Sequence, residues 1–328
     1  MLPTSSLNGL RRGHHDENAS RRETGKYSMP ESGQTASTDD LVSVVLVTYQ
    51  SADDLPECLS SLKSAAGAYE LETVIVDNAS RDNSVEIAQG FGATVIANPD
   101  NPGLSTAINQ GAARAKGSWL LLLNPDTELE ENSIAQLVDR LKADPQIGAV
   151  GPNIRQPGGE PYPTGRRFPS LLVGVLHALL ARIWPSNPAT RLYLMDGLDR
   201  TVAQDVDWVS GSCMMIRREA FDRVGGFDAG YFMYFEETDF CLRLHRNGWR
   251  IVFDPAATIM HKVGGSTKSA PYRKVINHHK SALRFFRCRH QGKPWIILTP
   301  VVAIFLAVRA GVSLAGVALE QRKQADQG

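Results

Sequence analysis

The chain has 328 residues, 42% of them hydrophobic, and its 35 basic and 35 acidic residues cancel. That is enough apolar sequence for one large domain or two modest ones. Four widely spaced cysteines (Cys58, Cys213, Cys241 and Cys288) include no CxxC pair, which fits reduced thiols and leaves no zinc signature.

Charge is unevenly placed. From Lys262 to the end there are 12 Lys/Arg against 2 Asp/Glu. A basic tail on an acidic body favours an anionic partner, by charge alone phospholipid, a diphosphate or nucleic acid. Residues 1–40 are polar, with five Lys/Arg, six Asp/Glu and no apolar stretch of the kind a signal peptide needs. They predict a disordered leader.

From Leu41 the pattern alternates. Val42–Thr48 (VSVVLVT) is a β-branched run suited to a strand buried on both faces. Asp53 and Asp54 offer an N-cap and Pro56 a first turn for a helix to Ala65. Thr73–Val76 predicts a second strand, ending at Asp77-Asn78, and a helix capped by Ser80 or Asp82 runs to Phe91. Thr94–Ala97 and Trp119–Leu123 predict strands, with helices over Ser105–Ala115 and Asn132–Ala143. This alternation implies a Rossmann-like α/β unit with a mostly parallel sheet flanked by helices. No GxGxxG follows the first strand, and GGSTK at 264–268 lacks the spacing of a phosphate-binding loop.

After Gly151 the rhythm breaks. Residues 152–170, rich in Pro, Gly and Arg, predict a loop, and Leu171–Trp184 an apolar helix. Val206–Val209 and Cys213–Arg217 predict strands around Ser210-Gly211-Ser212. Short helices follow at Arg218–Val224 and Glu236–Asn247, then a strand at Arg250–Phe253. Residues 41–150 are expected to be a nucleotide-binding half and 151–265 an acceptor-binding half, before a basic helical, membrane-associating region at 266–328. Within it, Trp295–Leu319 is nearly continuous apolar sequence interrupted by Arg309, long enough to span a bilayer or to lie against one. A helical hairpin packed on the body is the alternative.

Three stretches carry chemistry. LLLLNPD (120–126) is an apolar strand stopping on a carboxylate, the way α/β proteins present a metal or nucleotide ligand at the sheet's C-terminal edge. FEETD (235–239) packs three acids beside aromatic residues, and HKVGGS (261–266) supplies a histidine and a glycine pair. Asp126 suits a hard divalent cation, Mg²⁺ or Mn²⁺. The acidic cluster offers a carboxylate as general base, for which Glu237 is the candidate and Asp239 the fallback. Arg243, one turn on, faces the acids either to bind diphosphate or to balance their charge. Trp208, Ser210 and Gly211 are candidates to line an acceptor site, the indole as a flat face for a sugar ring.

VSVVLVTYQ, VDNASRDNS, NPDNPGLSTAINQG, LLLNPDTEL, VSGSCMMIRREAFDRVGGFD, FMYFEETDFCLRLHRNGWR and HKVGGS follow one another over about 42–265. In order and spacing they resemble the family 2 inverting glycosyltransferases of the GT-A fold. Among those they most resemble bacterial rhamnosyltransferases that use dTDP-rhamnose and a polyprenyl-diphosphate-linked GlcNAc acceptor. The resemblance implies that Asp77 receives the imide N–H of the base while Thr48 and Tyr49 line the base pocket. Asn101 and Gly103 then begin a phosphate-favouring turn, His261 joins Asp126 on the metal, and Glu237 falls on the catalytic position, where the family usually has Asp. Asn124 stands where the family's Asp-x-Asp has its first carboxylate, which removes one charged ligand. The resemblance also implies cell-wall or surface-polysaccharide synthesis at the cytoplasmic face of the membrane, with no nucleic-acid partner. A silent nucleotide-sugar or glycan-binding protein and a nucleotidyltransferase are the alternatives.

Overall fold

Strand β1 (Leu41–Thr48) sends Val42, Val44 and Leu46 into one apolar layer and Val45 into another, so helices must cover both faces. A computed structural model describes residues 38–168, 170–181, 183–262 and 271–325. Of the leader, only Thr38–Asp40 falls within it, as a short turn of 3₁₀ helix.

After β1 come α1 (Leu55–Ala65), β2 (Glu70–Asp77), α2 (Ser84–Gly90), β3 (Thr94–Ala97), α3 (Leu104–Arg114) and β4 (Trp119–Leu123). Strands β1 to β4 pair in parallel in the order β3-β2-β1-β4, as the alternation predicts. Asp54 occupies the cap of α1 without a side-chain cap bond. At α2 the capping position falls on Asn83 rather than on Ser80 or Asp82 and has no side-chain cap bond, while Asp82 Oδ1, one residue earlier, accepts from the Ser84 amide.

The sheet continues without a break at residue 150. Next come β5 (Thr127–Leu129), α4 (Ser133–Ala143), β6 (Ile147–Arg155), β7 (Gly165–Arg166), α5 (Leu171–Leu180), α6 (Pro188–Leu194), β8 (Gln204–Asp205), β9 (Trp208–Val209), β10 (Cys213–Arg217), α7 (Arg218–Arg223), α8 (Glu236–Arg246) and β11 (Arg250–His261). Strand β10 runs antiparallel between β4 and β6, and β6 lies parallel to β11, whose far side takes β5. Both halves of the chain therefore build one nine-stranded mixed sheet, with β7 and β9 forming a separate two-stranded ribbon.

Two readings of the sequence are corrected here. The loop expected from residue 152 begins only after β6, which is buried as far as Ile154. The strand expected to end at Phe253 runs on to His261, crossing Asp254-Pro255 by a register shift rather than a turn. Buried Asp254, bonded to Arg140 Nε at 2.6 Å, anchors that irregularity.

Helix α9 (Pro271–His290) and the long α10 (Thr299–Ala325) pack as an antiparallel hairpin. Tyr272 near the start of one donates to Gln321 near the end of the other. The segment Pro294–Lys323 is long and apolar enough to cross a membrane. Its interrupting arginine is not left in apolar surroundings: Arg309 donates to the Ala178 carbonyl of α5 and pairs with His279 of α9 at 2.9 Å.

Candidate active site

The parallel register brings the ends of β1 and β2 together, Thr48 opposite Asp77. Thr48 Oγ1 donates to Asp77 Oδ2 at 2.9 Å and the Ser80 amide donates to Oδ1 at 2.8 Å, which fixes a buried carboxylate at the sheet edge. Tyr49 is exposed beside it. Two residues beyond each strand, Gln50 and Ala79 turn the chain at positive φ (56° and 63°), a conformation non-glycine residues adopt at a cost and one concentrated at functional sites.

Asn101 Oδ1 accepts from the Gly103 amide at 3.0 Å. Gly103, at φ 95°, packs so tightly that a Cβ would stand 2.8 Å from the Phe232 carbonyl oxygen, which already accepts from Leu104. The turn that opens α3 is thereby docked onto the segment leading into the acidic helix. Only glycine fits there.

Asp126 and His261 meet through strand pairing. Thr127 is opposite His261 in the β5–β11 ladder, so the preceding Asp126 reaches the imidazole, with Nε2 to Oδ1 at 3.1 Å. The Lys262 amide also donates to the Asp126 carbonyl. Two donors on one octahedral ion at about 2.1 Å stand about 3.0 Å apart, so this pair fits a small divalent cation. Among the described residues no set of three or more His, Cys, Asp or Glu is arranged around an ion. The pair would therefore leave most coordination positions to water and phosphate oxygens, as Mg²⁺ commonly requires. The glycines at 264 and 265 lie outside the described residues.

The acidic helix α8 is entered through two consecutive left-handed residues, Tyr234 (φ 71°) and Phe235 (φ 66°). Such backbone costs of order 1–3 kcal/mol per residue and persists only where its surroundings enforce it. The result is that Glu236 and Glu237 both point inward: Oε2 of each is sealed from solvent and has no hydrogen-bond partner. Burial raises the pKa of both carboxyls. For Glu236 the neighbouring Glu237 adds to it, whereas for Glu237 the Arg166 guanidinium works against it. Gly211 lies against Glu237, its ideal Cβ 3.5 Å from the glutamate Cβ. Glu236, Glu237, Gly211 and Asn124 line one narrow cavity. The Asn124 amide is held by the Ser212 carbonyl at 2.9 Å, tying the NPD turn to the SGS turn.

Asp239 is placed differently. It accepts from Arg243 Nε at 2.8 Å and from the Tyr231 hydroxyl at 3.4 Å, inside the protein. Arg243 also donates to the Val224 and Gly226 carbonyls, so its role is to balance charge and anchor the helix. Trp208 is only 3% exposed and presents no open face for a sugar; its Nε1 donates to the Arg167 carbonyl. Ser210 is buried and shares a hydrogen bond with Ser212.

Arg166 was hidden in the sequence by its Pro- and Gly-rich surroundings. Strand β7 lifts it beside Trp208, where its guanidinium lies 4.9 Å from the indole centroid, and its charge acts on Glu237.

Residues 43–225 match the model of Glycosyl transferase family 2. The N-acetylglucosaminyl-diphospho-decaprenol L-rhamnosyltransferase of Mycobacterium tuberculosis is 37% identical over 266 residues, covering 77% of this chain and 86% of the relative. Rhamnosyltransferase WbbL of Escherichia coli is 25% identical, covering 75% and 92%. Among solved structures, the mannosyltransferase PcManGT from Pyrobaculum calidifontis, in complex with GDP-Man and Mn²⁺, superposes with a TM-score of 0.52. It is 19% identical and covers 85% of this chain and 75% of that one, a likeness of fold.

Proposed function

From a chain that belongs to glycosyl transferase family 2, we propose an inverting rhamnosyltransferase. It moves L-rhamnose from dTDP-rhamnose onto GlcNAc-diphosphoryl-polyprenol at the cytoplasmic face of the membrane, in cell-wall or surface-polysaccharide synthesis. The transferred sugar and the acceptor are supported by the name of the mycobacterial relative, an N-acetylglucosaminyl-diphospho-decaprenol L-rhamnosyltransferase, and by its coverage of this chain. The chemistry rests on one observation: Oε2 of Glu237, buried and without a hydrogen-bond partner, in the cavity this residue shares with Asn124 and Gly211.

Asp77, held by Thr48 and Ser80, accepts the imide N–H of thymine. Tyr49 flanks the base, and the Asn101–Gly103 turn presents the start of α3 to the phosphates. Asp126 and His261 would hold a divalent cation, Mg²⁺ or Mn²⁺, which would supply positive charge to the departing diphosphate. Glu237 takes the acceptor hydroxyl's proton as that oxygen bonds to the anomeric carbon. The bond from that carbon to the phosphate oxygen breaks on the opposite side, its electron pair leaving with dTDP. No covalent enzyme intermediate is required. Arg166 opposes the rise that burial gives the Glu237 pKa and so favours the ionised form that a base needs. Gly211 leaves room beside it for the sugar, Ser210 shapes that turn, and Trp208 supports Arg166 from below. Asp239 positions the helix.

A panel of nucleotide sugars presented with GlcNAc-diphosphoryl-polyprenol tests this reading. Turnover with dTDP-rhamnose above the others supports it, and preference for another donor discards the rhamnosyl assignment.

A further inference from the structure

A second, larger cavity of about 400 Å³ lies between α5, α9 and α10, within the size range of small-molecule sites. Its walls are mainly apolar, among them Phe285, Phe286, Val302 and Phe305. Among the described residues its charged side chains are the guanidiniums of Arg289 and Arg309, and no carboxylate lines it. Burial, with His279 beside it, pushes the His278 imidazole in the wall down to about 4, so that imidazole is neutral at physiological pH. An apolar chamber whose fixed charge is purely cationic complements an amphiphile with an anionic head.

Two of its residues connect it to the candidate active site. Phe235 lines the cavity and directly precedes Glu236 and Glu237, its ring packed 5.5 Å from that of Phe285. Tyr193 lines it too, under the same Arg166 whose charge acts on Glu237. Val301, which lines the chamber, is itself exposed, and the same helices carry further exposed apolar side chains. Val301, Ile304, Val308 and Val312 of α10 follow one another at helical spacing, and Leu172 and Leu179 project from α5. A chain too long for the cavity could continue over this surface.

We propose that this cavity binds the isoprenoid diphosphate of the acceptor. The first isoprene units lie between α5, α9 and α10, and the diphosphate pairs with Arg289 and Arg309. The sugar then extends past Phe235 towards Glu237. On this account Arg309 sits at the midpoint of an apolar helix because α10 lies against the enzyme as a wall of the site.

The inference rests on the lipid-linked acceptor proposed above, yet the two fail separately, because binding is read without turnover. Farnesyl diphosphate is titrated calorimetrically into the full-length protein in non-ionic detergent. Ala282→Trp, which fills the cavity, and Arg289→Gln should each weaken binding at least tenfold, while Val202→Trp, at an exposed position outside the cavity, changes it less than twofold. Val302→Trp supplies the same obstruction if Ala282→Trp does not unfold cooperatively at the wild-type temperature. Farnesol and inorganic diphosphate should each bind at least tenfold more weakly than the conjugate. Wild-type affinity in both cavity-filling variants, or equally potent displacement by a monoacyl phosphatidate, would overturn the site. The acceptor reading is lost instead if wild-type protein binds farnesyl diphosphate but transfers no sugar from any nucleotide sugar to GlcNAc-diphosphoryl-polyprenol.

Discussion

The Nε2 of His261 stands 3.1 Å from Oδ1 of Asp126, across 135 residues of chain, because β11 runs unbroken to the histidine and pairs there with β5. Asp126 alone is a strand-end carboxylate of a common kind. The histidine turns it into a two-donor site.

His261→Ala should raise the Mg²⁺ or Mn²⁺ concentration needed for half-maximal transfer by about tenfold or more, a cost typical of disturbing a metal's coordination environment. Asn124→Asp should act in the opposite direction by restoring a carboxylate beside the site. Activity followed against metal concentration after chelation checks both. Identical metal curves for the three proteins would remove Asp126 and His261 from metal binding.

Arg166→Met tests the electrostatics of the base. Burial raises the pKa of Glu237, and the guanidinium opposes that rise. Without it the carboxyl holds its proton to higher pH, so the acid limb of the kcat/KM profile should move upward. An unchanged limb with a lowered plateau would reduce Arg166 to a packing role.

Glu236 bears on stability. Its pKa is raised by burial above 4.5, so between the unfolded value and the raised folded one the native state holds the extra proton. Stability therefore falls as pH rises through that window. Glu236→Gln removes the buried charge and should stabilise the protein at pH 8 by about 1–3 kcal/mol, with little gain at pH 4. Denaturant melts at the two pH values give the comparison, and equal effects at both would show that Glu236 is not charged in the fold.

Thr48→Val deletes one of the two bonds that fix the Asp77 carboxylate and should weaken dTDP binding by roughly tenfold, about the worth of a hydrogen bond to a charged group. Asp77→Asn should go further and erode discrimination against dCDP, since the amide can donate to the cytosine ring nitrogen that thymine lacks as an acceptor. Calorimetric titration of both nucleotides measures this. Unaltered base preference in Asp77→Asn would move the base pocket elsewhere.

The first four parallel strands were legible because each is a short β-branched or leucine run between helix-period segments. Strand β6 was not, since Gly148, Gly151 and Pro152 read as breakers, and the pairing that overrides them comes from β10 and β11, distant in sequence. Likewise Asp254-Pro255 looks like a turn until Arg140 and a bulge carry β11 through it. Within the site, the motif carboxylates and His261 could be named from their stretches, but their partners could not. Neither the positive-φ turn at Tyr234-Phe235 nor the approach of Arg166 has a local signal, and Trp208 looks like a sugar platform until the fold buries it. The cavity between α5, α9 and α10 exists only as packing among helices whose sequences read merely as apolar or basic.

Glu237→Gln tests the central claim most directly. Nucleoside diphosphate release is measured with dTDP-rhamnose and GlcNAc-diphosphoryl-polyprenol, alongside the dissociation constant for dTDP. Loss of the base should lower kcat by about 10²–10⁴-fold and leave dTDP affinity within twofold of wild type. Turnover within a few-fold of wild type in a variant that binds dTDP normally would contradict the assignment of Glu237 as the proton acceptor.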